Sequence, residues 1–338
     1  MKDPDLVSII VPTFRRPTYL DEALGRLAAM RTPVPVELIV VDDGSEDETP
    51  EVVASYEGCF PAVRCLSQEN GGAGKARNNG ARHANGSLLL FSDDDILVRT
   101  DHLEAHLAAH ATFGENAVVS GHWELAPRIV EFLETTPFGR FRLEMERWYR
   151  DASIELQPIG DDRYRPSYLV SWNFSLRPAL FEALGGFDEK IAHAGLEDQE
   201  LSLRAESVDC TLVYDKNIAL LQNEPFVTLD SFCERRRTGA YDTVYAAIAS
   251  PGGFASREII TANLAPRVGE RPGAMAKKLL RGALATPLGE RGLRLLIGLL
   301  ERYSPRSRLL KRAYWTLCGS YIMRGVRQAV AETGWTPA

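Results

Sequence analysis

Cysteine is scarce here and poorly placed for either of its structural uses. The 338-residue chain has five, Cys59, Cys65, Cys210, Cys233 and Cys318, odd in number, scattered and without a CxxC pair. Such spacing predicts neither a disulfide framework nor a zinc site, and a reducing cytoplasm is the simplest expected home. Long apolar runs are also missing. None approaches the ~18–20 residues of a membrane-spanning helix. The opening "MKDPDLVSIIVPTF" has no cationic segment leading into an apolar one and a cleavage site, so no secretory leader is expected. Internal repeats and low-complexity tracts are absent, and residues 123–166 hold no Gly/Ser-rich linker. Neither a Walker A pattern nor GxGxxG occurs, which argues against a P-loop nucleotidase.

What remains is ordinary globular composition, 45% hydrophobic and 25% charged, with an uneven distribution of charge. The net charge is −7. Residues 257–338 hold 15 Lys and Arg against 5 Asp and Glu, a balance of +10, which leaves 24 against 41, or −17, in the first 256. A basic appendage on an acidic body is expected. The acidic body, with no nucleic-acid motif, argues against nucleic acid as a partner.

The first hundred residues alternate. "LVSIIVP", "VPVELIVVDD", "AVRCLS" and "SLLLF" are short apolar, β-branched runs and predict strands. Between them, "PTYLDEALGRLAAM", "EDETPEVVASY" and "AGKARNNGARHAN" carry helical spacing, and the second has the acidic first turn that the helix dipole favours. Strands alternating with helices at this pitch predict an α/β fold with a mostly parallel sheet. Ligands bind such sheets at the carboxyl ends of the strands, which places "VDDGS" and "SDDD" on one edge. Three adjacent carboxylates, Asp93, Asp94 and Asp95, repel one another and are costly to bury alone. A bound cation resolves both problems; so does an exposed loop, but two acidic clusters ending buried strands on one edge favour a site. Residues 123–166 read as an ordered excursion rich in charge and aromatics. "GLEDQELSLRAE" predicts a helix opening at about Glu197 with Glu200 and Arg204 as an i,i+4 pair. Residues 228–338 read as helices broken by Pro and Gly.

"VPTFRRPTYLDEAL", "VDDGSEDET", "NGGAGKARNNGARHANG", "SDDDILV" and "GLEDQELSLR", in that order, resemble the inverting glycosyltransferases of family 2, over residues 6–240. The resemblance implies a GT-A fold, a Rossmann-like mixed, mostly parallel sheet flanked by helices. It implies a catalytic domain over 1–225, with a nucleotide-sugar half (1–122) and an acceptor half (123–225), and a C-terminal helical extension over 226–338. Its implied chemistry is transfer of a sugar from a nucleotide-sugar, with UDP the expected nucleotide, to a glycan, lipid-linked or small-molecule hydroxyl.

Site residues carry over by position. Pro12 and Thr13 fall among the donor-binding positions. Asp43 is placed on the base; from its residue chemistry alone it can accept a uracil N3–H or bind ribose, and the bland alternative is that Asp42 or Asp43 caps the turn through Gly44. The glycines of "NGGAG" let the backbone approach a ligand at a helix start, and Lys75 and Arg77 offset donor charge. Carboxylates cannot hold a diphosphate directly, but a divalent ion between them inverts the sign, and Mg²⁺ or Mn²⁺ suits hard oxygen ligands. Against the commoner Asp-X-Asp-Asp form, Ser92 takes the first acidic position. Asp94 is then the implied metal ligand, Asp95 its helper, and Asp93 a ribose or metal-water contact. The family often carries a late metal-binding His. The equivalent "IALLQNEPF" has none, leaving Asn223 as substitute through its carbonyl and His193 as runner-up. Asp198 is the implied general base and Glu197 an orienting group; without the resemblance they read as an acidic first turn. Trp172 and Asn173 fall where the family lines the sugar and acceptor pocket, although Trp172 also suits a core.

Two rivals stand beside this reading. A nucleotidyltransferase wants a Gly-rich basic loop directly after the first strand, where "PTFRRPT" stands instead. A catalytically inactive GT-A-fold binding protein would tolerate the missing His but has no need of Asp94 and Asp198. The tail segments "KKLLRGAL", "ERGLRLLIGLLERY" and "RSRLLKRAYW" mix Arg with Leu, which suits peripheral contact with the inner face of a membrane, packing on the body, or a homodimer.

Overall fold

The computed structural model describes residues 4–335 apart from 153–155, 161, 167–171, 192–195, 206–207, 224–227, 250–257, 265 and 267–268. His193 therefore lies outside the described residues. In chain order the first elements are β1 (Val7–Thr13), α1 (Pro17–Ala28), β2 (Val36–Asp42), α2 (Thr49–Ala54), β3 (Ala62–Ser67), α3 (Ala73–His83), β4 (Leu88–Ser92), β5 (Ile96–Val98) and α4 (His102–Phe113). Then follow β6 (Ala117–Leu125), α5 (Pro127–Glu134), α6 (Pro137–Ala152), β7 (Leu156–Gly160), β8 (Arg163–Pro166), β9 (Asn173–Leu176), α7 (Pro178–Ala183), α8 (Glu197–Ala205) and β10 (Thr211–Gln222). The C-terminal helices are α9 (Leu229–Ala249), α10 (Glu258–Thr261), α11 (Pro272–Leu284), α12 (Pro287–Tyr303) and α13 (Arg308–Thr333).

The chain divides into two compact units, residues 1–127 with 150–224, and 128–149 with 225–338. The first is built on one mixed sheet in the order β3-β2-β1-β4-β9-β6-β10-β8-β7, with β5 paired to β10. β3, β2, β1 and β4 run parallel, as βαβ crossovers require. β9 then enters antiparallel between β4 and β6. β1 and β2 are buried along their whole length, which explains why they read as continuous apolar runs rather than alternating ones. α1 turns Leu20, Ala23, Leu24 and Leu27 inward at helical spacing. Behind the sheet, Phe91 stacks on Phe174 across the β4–β9 ladder, with centroids 4.7 Å apart, and Phe181 and Phe187 close the cluster.

The second unit is helical. Phe138, Phe141 and Met145 of α6 share a core with Phe232 and Cys233 of α9, Leu293 and Ile297 of α12, and Tyr314, Leu317 and Cys318 of α13. That shared core draws residues 128–149 to the C-terminal helices, whereas the expected boundary at 225 keeps them with the sheet. No described helix is long and apolar enough to cross a membrane.

Candidate active site

The parallel strands end on one edge, and the acidic residues stand there. Asp42 and Asp43 follow the apolar run of β2 and divide two tasks. Asp42 accepts the N–H of Ser45 at 2.9 Å and so closes the turn. Gly44 has φ +85° in that turn, a conformation that a side chain would strain. Asp43 faces the glycine-rich segment instead. Its Oδ1 accepts from Gln68 Nε2 at 2.8 Å and Gly71 N at 2.9 Å, and its Oδ2 accepts from Gly72 N at 2.8 Å. Asn70 Nδ2 also reaches the Asp43 carbonyl at 3.1 Å. The turn-capping alternative thus belongs to Asp42, while the Asp43 carboxylate anchors the loop that leads into α3.

The three carboxylates after β4 separate just as clearly. Asp94 and Asp95 are buried, while the Asp93 side chain keeps 27% of its surface exposed. Thr13 Oγ1, at the end of β1, donates to Asp94 Oδ2 at 2.7 Å. Arg16 Nη1 lies 3.1 Å from Asp94 Oδ1 and 3.5 Å from Asp95 Oδ2. Burial pushes the Asp94 carboxyl above the usual carboxylate range, opposed by the charge of Arg16 and the Thr13 hydroxyl. Among the described residues no group of three His, Cys, Asp or Glu side chains is gathered as a ready metal site.

A second arginine links this cluster to one far along the chain. Arg77, buried in α3, donates through Nη2 to Asp93 Oδ1 at 2.5 Å and through Nη1 to Glu197 Oε1 at 3.0 Å. Burial alone would lower the pKa of its guanidinium. The flanking charges of Asp93 and Glu197 outweigh that and raise it. The Phe187 ring lies 5.4 Å from the Arg77 guanidinium carbon. Glu197 also accepts the N–H of Leu196 at 3.0 Å, which secures the first turn of α8. Asp198 is half-buried on the same turn. Its Oδ1 accepts from Gln199 N at 2.7 Å. Four acids and two arginines therefore form two ion-paired groups, Arg16 with Asp94 and Asp95 and Arg77 with Asp93 and Glu197, which meet at the consecutive carboxylates that follow β4.

β9 and β10 bring the remaining residues. Asn173 pairs with Ser92 in the β4–β9 register, and Asp93 N donates to the carbonyl of Trp172 at 3.1 Å. Trp172 meets Trp123 edge-on, with centroids 5.2 Å apart. Asn173 is buried, with Oδ1 3.0 Å from His106 Nε2. Asn223, just past β10, donates its backbone N–H to the carbonyl of Asp95 at 2.7 Å, and its side-chain Nδ2 to Glu22 Oε2 at 3.1 Å. Pro12 sits beside Val41 in the β1–β2 register, and Asp43 N donates to Thr13 O at 2.9 Å. The fold thus brings Thr13, Asp93, Asp94, Asp95 and Asn223 together, and joins Glu197 to them through Arg77.

Three parts of this site carry little or no assignment in the sequence alone. Arg16 was legible as a cation in "PTFRRPT", but nothing local pointed it at Asp94. Glu22 and Gln68, the partners of Asn223 and Asp43, had no pattern to mark them. The third had a signal: His102, His106 and His110 repeat every four residues, which stacks them on one helix face. His106 Nδ1 and His110 Nε2 both lie 2.8 Å from Ser175 Oγ, and His102 packs edge-on against His106 at 4.8 Å between centroids.

Residues 8–151 match the family model of glycosyl transferase family 2. Two proteins named validoxylamine A glucosyltransferase, from Streptomyces hygroscopicus subsp. limoneus and subsp. jinggangensis, are 36% identical over 217 residues. The alignment covers 59% of this chain and 47% and 51% of theirs. The chain thus spans about half the length of these relatives. An uncharacterized glycosyltransferase of Bacillus subtilis, YfnE, is 27% identical over 262 residues, 64% of each chain. Among solved structures, the mannosyltransferase PcManGT of Pyrobaculum calidifontis, in complex with GDP-Man and Mn²⁺, superposes with a TM-score of 0.58 at 17% identity, covering 98% of this chain and 89% of that one. GalNAc-T7 with UDP, GalNAc and Mn²⁺ gives 0.57 at 12% identity, covering 82% and 55%. At such identities the likeness is one of fold. Residues 8–151 thus match glycosyl transferase family 2, and the fold is of the GT-A type.

Proposed function

We propose that this protein transfers a glycosyl group from a nucleotide-sugar to an acceptor hydroxyl, with inversion at the anomeric carbon and with a divalent cation. The observation that carries the reading is the convergence of Asp94 and Asp95 on a single positive group, Arg16 Nη1. Two buried hard-oxygen carboxylates that share one cationic partner fit Mg²⁺ or Mn²⁺, which binds through one or two carboxylates and completes its shell with substrate phosphates. Asp94 and Asp95 would hold the ion, with Asn223 beside them. When bound, it supplies positive charge to the leaving diphosphate.

The remaining roles belong to the chain's own groups. Asp43, with the loop it anchors, takes the base side of the nucleotide, and Thr13 keeps Asp94 in place. Asp93 faces the ribose. Asp198 accepts the proton of the acceptor hydroxyl as its oxygen bonds to the anomeric carbon and the bond to the diphosphate oxygen breaks. Glu197, tied to Arg77, holds that turn. UDP is the nucleotide we favour; the structural neighbours include one solved with UDP and one with GDP-Man.

A thermal-shift panel of UDP- and GDP-sugars, with and without Mn²⁺, tests the donor, since specific binding stabilises by RT ln(1 + [L]/Kd). One nucleotide-sugar should raise the melting temperature, and only with the metal. Product analysis tests the reaction: transfer releases a nucleoside diphosphate, whereas nucleotidyl transfer would release pyrophosphate and overturn the proposal.

A further inference from the structure

The C-terminal helices carry an apolar surface that the fold leaves outside. α12 has two apolar faces. Leu293 and Ile297 enter the helical core. On the other side, Leu288, Leu295, Leu299 and Tyr303 recur at i, i+7, i+11 and i+15, which places them on one face, with 80%, 72%, 58% and 69% of their surface exposed. α11 adds Leu279 and Leu280, at 59% and 61%. Isolated exposed leucines are ordinary, but a continuous row on a helix that already has a core-facing side marks a contact surface.

Charge selects the occupant. Between residues 271 and 316 the only acids are Glu290 and Glu301, and neither is exposed. Glu290 is held by Arg294, Arg324 and Tyr321, and Glu301 accepts from Tyr314 at 2.5 Å. Every exposed charge in the stretch is therefore positive, including Lys277, Arg291, Arg302, Arg306, Arg308 and Arg312. Arg291 and Arg302 flank the leucine row on one side by helical spacing, and the Arg302 guanidinium carbon lies 5.3 Å from the Tyr303 ring centroid. Leucines between cationic side chains, with an aromatic at the margin, suit the boundary between acyl chains and anionic headgroups. A second copy of the same face would set these cations against themselves across a two-fold axis.

We propose that the α11–α12 face is a docking surface for an anionic lipid bilayer, on which the protein lies without crossing. The full-length chain should float with vesicles of 3:1 phosphatidylcholine and phosphatidylglycerol at 50 mM salt, and far less with phosphatidylcholine alone. Raising salt to 500 mM should weaken binding, because headgroup attraction is screened. Leu295→Gln with Leu299→Gln should lower partitioning by about tenfold or more, as should Arg291→Gln with Arg302→Gln. These side chains are exposed, so the melting temperature should not move and loss of folding is separable from loss of docking. Absence of binding to anionic vesicles at low salt would overturn the proposal. So would binding that the leucine variant leaves intact, or a concentration-dependent dimer in lipid-free sedimentation that the leucine variant disperses.

Discussion

Asp94 and Asp198 are alike in charge and opposite in task, and they give the sharpest test of the proposed chemistry. Asp94→Asn removes a charge from the Arg16 cluster and should abolish the Mn²⁺-dependent part of UDP affinity in calorimetry. Asp198→Asn should leave that affinity nearly intact and cut kcat by ~10²–10⁴, the usual contribution of a general base. If the Asp198 variant loses donor affinity but keeps kcat at saturation, the base lies elsewhere. Arg16 predicts the reverse of a simple loss. Its guanidinium competes for the carboxylates that we assign to the metal, so Arg16→Gln should bind Mn²⁺ more tightly in the absence of nucleotide, by roughly two- to fivefold for one removed partner. Weaker Mn²⁺ binding in that variant would show that Arg16 organises the carboxylates rather than occupying them.

At the scale of elements, the strands and helices from β1 to α3 lie within a few residues of where the sequence predicts them, and α8 opens at Glu197 as read. These elements are governed by local periodicity and by turn residues, which a single sequence displays. The antiparallel insertion of β9 is not local. It depends on Phe174 pairing with Phe91, 83 positions away, and no pattern in "SWNFSL" announces that partner. The histidine row on α4 was legible in spacing but not in consequence. Burial lowers His102 to about 4, a value Asp101 partly opposes. Burial and the nearby Arg177 lower His110 to about 4, and burial with the two neighbouring rings lowers His106 well below its usual range. The folded rings resist protonation while unfolded ones accept protons near pH 6.5, so the unfolded state binds more protons as the solution acidifies. The stability that they contribute is complete above pH 6.5 and is lost as pH falls; for His102 and for His110 the loss runs between 6.5 and about 4, on the order of 3 kcal/mol each at the acid end. Melting temperature should therefore fall from pH 7 to pH 4.5, and less steeply in His102→Gln. Parallel curves for the two proteins would remove the row as the cause.

Across the whole molecule, acid should act on the two units in sequence. Each carries a carboxylate held below its usual range. Burial would raise Glu37 of the sheet, but the Ser8 hydroxyl, the Asn85 N–H and Arg64 outweigh it. Burial likewise opposes, and Arg294, Arg324 and Tyr321 overcome, so that Glu290 of the helices falls to about 2. Depressed carboxyls stabilise above about pH 4.5 and lose that contribution as pH falls through the folded value. Both units are exposed to this later loss, but the described histidine row belongs to the sheet unit. Hydrogen exchange, corrected for intrinsic rate, should show β4, β6 and β9 losing protection by about pH 5, with α12 and α13 holding to lower pH. Simultaneous loss in both would contradict this order.

Arg77 has a bearing on redesign. One buried cation serves Asp93 and Glu197, which stand 104 positions apart in the sequence. Neither acid has a private free energy: removing one changes what the other's negative charge is worth. A double-mutant cycle on Asp93→Asn and Glu197→Gln should return a coupling energy well away from zero, roughly 0.5–3 kcal/mol. Combinatorial libraries aimed at new donors or acceptors would then be epistatic at these two positions, and variants chosen one site at a time would not combine.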